Sequence, residues 1–185
     1  MLLPPGPIKL PLKHIFGLLL ILSAASASID TYGQQWKDGA QPSYTDSLQA
    51  RASELKGLFL CGKVPYPDAV VRLYRNNTET IENLLSVVKS GADGMFRIEG
   101  NTAGRNGDDA HLTPHIKLFH KCDDKEKTKG HRTFGWLVNN PSYVTLGRVS
   151  RKTFDIGTLN LEIVFPGETR DLKYTDLQPL GALIP

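Results

Sequence analysis

Apolar and polar side chains alternate in short segments along most of the chain, which predicts β-strands. In residues 69–75, for example, Ala69, Val71 and Leu73 fall on one face. The other segments with alternation or with a run of strand-forming residues are 55–61, 84–89, 95–99, 115–121, 133–138 and 159–165. Residues 84–89 could also end a short helix that begins at Thr80, but the adjacent valines of this segment favour a strand.

The strongest alternation comes last, in residues 159–165. Its apolar face comprises Leu159, Leu161, Ile163 and Phe165. Earlier in the chain, Ala92-Asp93-Gly94 predicts a hairpin turn. Seven short strands without a long amphipathic helix predict an all-β fold, an antiparallel β-sandwich. A parallel α/β fold would need crossover helices, which the intervening segments lack.

The two ends of the chain do not show this pattern. Residues 28–54 are polar without a sustained period, and the chain ends in Pro-Leu-Gly-Ala-Leu-Ile-Pro. We therefore expect a mobile leader over 28–54, a β-sandwich domain over 55–171 and a frayed tail over 172–185.

Residues 1–27 have the layout of a secretory signal peptide. Lys9 and Lys13 precede an apolar run over 15–22, and small residues follow it, with cleavage expected after Ala27. An uncleaved membrane anchor is the alternative, but a bilayer span needs about 20 apolar residues. The mature chain, 28–185, is therefore predicted to be secreted and extracellular, without a transmembrane segment.

Composition and charge are those of an ordinary globular domain. The 185 residues are 40% hydrophobic and 22% charged, and the net charge is +3. Outside the signal segment the chain has 20 basic and 19 acidic side chains, which leaves a net charge of +1. A chain this balanced has no bulk electrostatic reason to bind nucleic acid.

Export changes how two features are interpreted. Cys61 and Cys122 are the two cysteines of the chain, and an oxidising compartment favours a disulfide between them over two buried free thiols. Asn76-Asn77-Thr78 matches the N-glycosylation pattern, with Asn76 as the acceptor beside a predicted turn.

Segments along the chain resemble, in order, the motifs of the nematode transthyretin-like proteins. They read LCGKVP from Leu60, VVRLY from Val70, ADGMF from Ala92, PHIKLFHKC from Pro114, FDIGTLNLE from Phe154 and FPGETRD from Phe165. The resemblance covers about residues 55–171. It implies a small, secreted, transthyretin-like (prealbumin-like) β-sandwich of about seven strands, and it implies little chemistry, because most family members have no assigned activity.

This sequence departs from the family pattern in its cysteines. Family members often carry two more, one shortly after the Cys122 position and one directly after the Arg-Asp that is Arg170-Asp171 here, and both are absent. Because the loss of both halves of one bridge leaves the other bridge intact, the resemblance supports the pairing of Cys61 with Cys122.

The transthyretin fold also hosts 5-hydroxyisourate hydrolase, so an extracellular hydrolase is one alternative. That activity uses His and Arg side chains in a tetramer cleft and a C-terminal Tyr-Arg-Gly-Ser, which this chain lacks. The histidines that could supply a base are His111, His115, His120 and His131. No spacing predicts the orienting partner that a catalytic base needs, so we expect no enzyme activity and assign no catalytic residue.

The same histidines do not predict a metal site. Pro114 disfavours a helix across His111 and His115, and on a strand His115 and His120 point to opposite faces. Asp108-Asp109 and the acidic residues of 123–126 lack the spacing of a calcium loop. We therefore predict neither a metal nor another cofactor.

Two further groups of side chains are candidates for contacts. A small basic cluster, which could meet an anionic surface but is more simply a solubilising loop, comprises Arg148, Arg151 and Lys152. A second group shares one strand face, where the core is the default and ligand lining the alternative. It comprises Phe134, Trp136 and Val138.

Together these features predict a secreted, non-enzymatic binding module whose binding residues are unknown. Its expected partner is a small apolar ligand, a lipid surface or a cell-surface protein, met by the loops or a sheet face of the β-scaffold. The alternatives are a hydrolase of this fold and an adhesive or matrix component that associates through sheet edges. Assembly into a homo-oligomer stays open.

Overall fold

The computed structural model describes residues 49–125 and 127–179, and most of their regular structure is β-strand. The strands are β1 (Arg51–Cys61), β2 (Val64–Pro65), β3 (Val70–Tyr74), β4 (Leu84–Lys89), β5 (Met95–Asn101), β6 (His115–His120), β7 (His131–Leu137), β8 (Thr145–Leu146), β9 (Thr153–Asn160) and β10 (Thr169–Asp171). Short 3₁₀ helices cover Ile81–Asn83, Gly107–Ala110 and Pro141–Tyr143. The strand prediction for residues 84–89 is therefore confirmed.

The strands form two sheets. In the first sheet β1 is central, with β5 and β2 along one edge and β8 and β9 along the other. The second sheet has the order β10-β7-β6-β3-β4. The pairings are antiparallel except that of β9 with β1, which is parallel and sets Glu54 opposite Thr153. The antiparallel prediction therefore holds for the rest of the sandwich but not for β9.

Alternating side chains from both sheets fill the space between them. The buried members of this core include Leu55, Phe59, Val71, Leu73, Phe96, Ile98, Ile116, Leu118 and Phe134. The rings of Phe59 and Phe96 stack at a centroid distance of 4.7 Å. Each such side chain contributes about 1.5–3 kcal/mol on burial. The predicted all-β sandwich is confirmed.

The turn at Ala92-Asp93-Gly94 forms, but it does not make the predicted hairpin. It connects β4 of the second sheet to β5 of the first, because β5 pairs with β1 and not with β4. Gly94 has a φ of 75°, and a Cβ atom there would lie 2.4 Å from the carbonyl oxygen of Phe59. The close approach of β1 requires glycine at this position.

The last long strand ends earlier than predicted. β9 stops at Asn160, whose side-chain oxygen accepts hydrogen bonds from the backbone N–H groups of Gly62 and Glu162. The bond from Glu162 closes a local turn that ends the strand, and the bond from Gly62 holds this turn against the end of β1. The predicted strand over 159–165 is therefore wrong beyond Asn160. Ile163 is 59% exposed, whereas Leu161 is buried and Phe165 packs against the core, as the predicted apolar face requires.

The predicted boundaries at the ends of the domain also differ from the structure. β1 begins at Arg51, so residues 51–54 belong to the first sheet and not to a leader. Tyr174, in the predicted frayed tail, packs on Phe119 of β6. The predicted signal peptide, 1–27, lies outside the described residues. Within the described part, no helix is long and apolar enough to span a membrane.

Candidate functional site

An apolar cleft of about 400 Å³ lies between β7 of the second sheet and β9 of the first. The large apolar side chains that line it are Phe134 and Trp136 of β7, Phe154, Ile156 and Leu159 of β9, and Phe165 of the following loop. Phe134 is buried, and the other five are partly exposed. Large apolar side chains left partly exposed side by side mark a candidate binding site.

Two larger concavities have a different chemistry. One, of about 650 Å³ on the outer face of the first sheet, is lined by the charged Lys56, Arg97 and Asp155 among others. The second, of about 480 Å³, includes Asn139 and Asn140 in its lining. Because neither has an aromatic wall like that of the smaller cleft, we take the cleft as the candidate site.

Three stacked rings form one wall of the cleft. Phe134 lies between Trp136 and Phe165, at centroid distances of 5.4 Å and 4.3 Å and with ring planes within 19° and 18°. Phe134 and Trp136 face the same side because they are two positions apart on β7, as the sequence predicted. Stacked rings of this kind make a flat wall that holds its shape.

A bulge in β9 builds the opposite wall. Gly157 has a φ of 74°, and the register with β1 shifts at this point. In a regular strand Ile156 and Leu159 would face opposite sides, but the extra residue brings both into the cleft. Phe154 is supported from behind by Tyr143, edge to face at 4.9 Å.

A buried ion pair fixes the loop that carries Phe165. Glu168 accepts a hydrogen bond from the Arg132 Nε–H and a second from the Phe165 backbone N–H. The Arg132 Nη atoms donate to the carbonyl oxygens of Cys122, Leu161 and Ile163 at 3.1 Å each. Burial by itself raises the pKa of Glu168. The hydrogen bonds from Arg132 and Phe165 lower it by more, so the pKa of Glu168 is below its usual value.

The lining of the cleft also includes one charged side chain. Asp155 is exposed, pairs with Lys56 and accepts a hydrogen bond from the Gly157 backbone N–H. A lining of large apolar side chains with one carboxylate suits a mostly apolar ligand.

Comparison with known proteins places this sandwich in a family. The family model "TTR-52: Transthyretin-like family" matches residues 56–138. Transthyretin-like protein 46 of Caenorhabditis elegans is 38% identical over 129 residues, which cover 69% of this chain and 69% of that protein. This chain belongs to the transthyretin-like family. Transthyretin-like protein 33 of the same nematode is 30% identical over 69% of this chain and 85% of its own length.

Among solved structures, a 9R-lipoxygenase from Cyanothece aligns with this transthyretin-like chain at a TM-score of 0.33 and 16% identity. The alignment covers 60% of this chain and 16% of the lipoxygenase chain, so the likeness carries no argument.

The four histidines of the transthyretin-like domain lie apart from one another. His120 faces the core between Tyr66 and Phe134, whereas His115 faces outward and contacts Glu79 at 3.0 Å. His131 packs on Tyr174, and His111 is exposed. The sequence correctly predicted opposite faces for His115 and His120, and the structure brings none of the four into the cleft lining.

No cluster of three or more metal-ligating side chains occurs within residues 49–125 and 127–179. In the acidic tip between β6 and β7, Asp124 is held by Arg170 in a two-bond ion pair with distances of 2.8 Å and 2.6 Å. This contact lowers the pKa of Asp124. Arg148, Arg151 and Lys152 are exposed in the loop between β8 and β9, away from the cleft lining.

The predicted covalent bridge is present. Cys61 and Cys122 form a disulfide that joins the end of β1 to the loop after β6. Asn76, the predicted glycan acceptor, lies in the bend after β3, where its side-chain oxygen accepts a hydrogen bond from the Thr78 N–H at 2.9 Å. Glycosylation at Asn76 stays a prediction.

Residues 134 and 136 were the part of the cleft that the sequence indicated. Leu159 and Phe165 were not assigned to it, because the β9 bulge and the Arg132–Glu168 ion pair bring them there. Phe154 and Ile156 share a face by alternation, but alternation in one strand contains no signal for which strand of the other sheet lies opposite.

Proposed function

We propose that this chain is a secreted, non-enzymatic binding module that holds a small apolar ligand in the cleft between β7 and β9. The observation that carries the proposal is the aromatic cleft itself. Its volume of about 400 Å³ lies within the range of roughly 300–1,000 Å³ that is usual for small-molecule sites.

Preorganisation supports a binding role. The stack of Phe134, Trp136 and Phe165 and the Arg132–Glu168 ion pair hold the wall in place without a ligand. A site that needs little ordering on binding keeps more of its contact energy as affinity.

The extracellular part of the proposal rests on two features. Residues 1–27 have the pattern of a signal peptide, and the Cys61–Cys122 disulfide suits an oxidising compartment. Expression in a secreting eukaryotic cell, followed by N-terminal sequencing of the protein in the medium, tests this part. We expect the sequence to begin at Ser28, and retention in the cell with the leader attached would contradict it.

Ligand binding is tested with the neutral fluorescent probe N-phenyl-1-naphthylamine. We expect saturable binding of one probe per chain and at least a tenfold weaker affinity in Trp136→Ala. The matched control is Met95→Ala, which trims an exposed side chain in the charged concavity of the first sheet. Probe binding that is absent, or that Trp136→Ala leaves unchanged, would overturn the cleft as the site.

The same preparations decide the enzymatic alternative. Incubation with 5-hydroxyisourate is expected to leave its spontaneous rate of loss unchanged, because the histidines lie outside the cleft lining. A protein-dependent increase in that rate, proportional to protein concentration, would replace the binding-module proposal with a hydrolase.

A further inference from the structure

The outer face of the second sheet holds a buried guanidinium. Arg72 of β3 is 5% exposed, and it is absent from the ion pairs of the described residues. Its Nε has no hydrogen-bond partner, while its Nη2 donates to the carbonyl oxygen of Thr175. A buried charge is normally compensated by an opposite charge, and here the described chain supplies none.

Aromatic rings hold this guanidinium in a fixed position. Its central carbon lies 4.3 Å from the ring centroid of Phe119 and 5.1 Å from that of Tyr174. Tyr174 in turn packs on Phe119 at 5.2 Å and on His131 at 3.9 Å. Cation–π contacts of this kind orient the Arg72 fork without satisfying its N–H groups.

Two more polar atoms near the same ring lack partners. Thr133 Oγ1 and His131 Nδ1 are both buried without a hydrogen bond. His131 and Thr133 alternate with the inward-facing Arg132 on β7, so they face outward, and Thr133 lies directly opposite Phe119. A buried polar atom without a hydrogen-bond partner calls for an explanation, and three of them around one aromatic ring can be explained by a ligand that binds there.

The segment after β10, residues 172–176, covers Arg72 and Phe119. Tyr174 supplies an aromatic ring on Phe119, and the next residue, Thr175, supplies an oxygen to Arg72. Apart from its ring contacts, Tyr174 donates a hydrogen bond to Asp176 within the segment. Lys173, Thr175 and Asp176 are exposed. The segment is therefore attached to the sheet mainly through the Tyr174 ring and the Thr175 carbonyl.

We propose that the outer face formed by Arg72, Phe119, His131 and Thr133 binds an aromatic carboxylate, and that Tyr174–Thr175 occupies this site when the ligand is absent. The ligand ring stacks on Phe119 and His131 where the Tyr174 ring lies. The carboxylate accepts hydrogen bonds from Nε and Nη2 of Arg72, the side-on pair of donors that a carboxylate matches with both oxygens. Lys117, whose Nζ lies 5.7 Å from the Phe119 centroid, adds positive charge but is paired with Glu79.

This site is independent of the cleft between β7 and β9. Thr133 faces outward from β7 and its neighbours Arg132 and Phe134 face inward, so the two sites lie on opposite faces of the second sheet. A variant can therefore close one site without touching the side chains of the other.

The test measures the binding of 3-phenylpropanoate by titration calorimetry to the full chain and to Tyr174→Ala. Removing the internal competitor is expected to tighten binding at least tenfold. The neutral analogue 3-phenylpropanamide is expected to bind Tyr174→Ala at least tenfold more weakly than the acid, because it brings no charge to Arg72. Equal affinity of the full chain and Tyr174→Ala, or of acid and amide, would overturn the proposal.

Two further variants, made in the Tyr174→Ala background, locate the site. Arg72→Gln is expected to weaken acid binding at least tenfold, and Trp136→Ala is expected to leave it unchanged. Loss of binding in Trp136→Ala would assign the acid to the cleft and overturn the proposal. If Arg72→Gln does not fold, the acid-to-amide ratio still decides. If inorganic phosphate bound as tightly as the acid, the aromatic ring of the ligand would contribute nothing to binding, and this result would also overturn the proposal.

Discussion

The Glu168 carboxylate and the Arg132 guanidinium form an ion pair beneath the aromatic cleft, with side chains only 6% and 11% exposed. Arg132 also donates to three backbone carbonyls, so it ties the loop after β9 to the disulfide at Cys122. The cleft therefore depends on a polar contact that lies behind its apolar wall.

We expect Glu168→Gln to lower the free energy of unfolding by about 3 kcal/mol, because it leaves a buried guanidinium without its counter-charge. Urea denaturation measures the change. The control is Asp155→Asn, which weakens the half-exposed pair with Lys56 and is expected to leave the urea midpoint unchanged. Equal effects of the two substitutions would show that the buried pair has no special role.

Acid is expected to destabilise the fold through His120. Burial, reinforced by the positive charge of Arg132, lowers the pKa of His120 to about 4. Below pH 6.5 the unfolded chain takes up a proton that the folded chain does not. The free energy of unfolding should therefore fall by about 1.4 kcal/mol per pH unit between pH 6.5 and pH 4, roughly 3 kcal/mol in all.

The His120 contribution is isolated by His120→Phe, measured by urea denaturation at pH 7 and pH 5. We expect the variant to lose less stability than the unsubstituted chain over this interval. Burial also lowers the pKa of His131, so some dependence in the same direction should persist. An identical loss in both proteins would exclude His120 as the acid-sensitive group.

The disulfide is expected to stabilise the fold by limiting the unfolded chain. It closes a sequence separation of 61 residues, for which loop entropy gives about 4 kcal/mol. A Cys61→Ser, Cys122→Ser double variant should show a loss of this order in urea denaturation. Thiol titration of the denatured, non-reduced protein should find no reactive thiol, and two per chain would contradict the bridge.

Asn76 is expected to carry a glycan when the chain is made in a eukaryotic secretory pathway. Asn76→Gln should remove one glycosidase-sensitive mass shift on an electrophoretic gel. The neighbouring Asn77→Gln is the matched control, since Asn77-Thr78-Glu79 is not an acceptor pattern. A product without a glycan, or one whose glycan survives Asn76→Gln, would exclude this acceptor.

Local patterns in the sequence predicted much of the fold because strands such as β3 and β6 carry their own alternation. Ile116 and Leu118 face inward and Lys117 outward, as the period of two requires. These patterns could not predict where the chain crosses from one sheet to the other. The turn at Gly94 has the residues of a hairpin, but β5 pairs with β1 and not with β4, so the chain crosses to the other sheet.

Only the β7 wall of the cleft could be predicted from the sequence, because alternation acts within a single strand. Phe134 and Trp136 share a face within one strand, whereas Phe165 joins them through an ion pair between residues 36 positions apart. The Arg72 site had no sequence signal, because it needs the tail of the chain to fold back over β3 and β6.

The parallel pairing of β9 with β1 has a consequence for how the protein is made. Glu54 and Thr153, linked side by side, are separated by 99 positions, so the first sheet stays incomplete until the ribosome has synthesised almost the whole domain. Contacts this distant in sequence slow folding. The nascent chain thus carries an unfinished edge throughout synthesis, and the first sheet is completed only after β9 has been made.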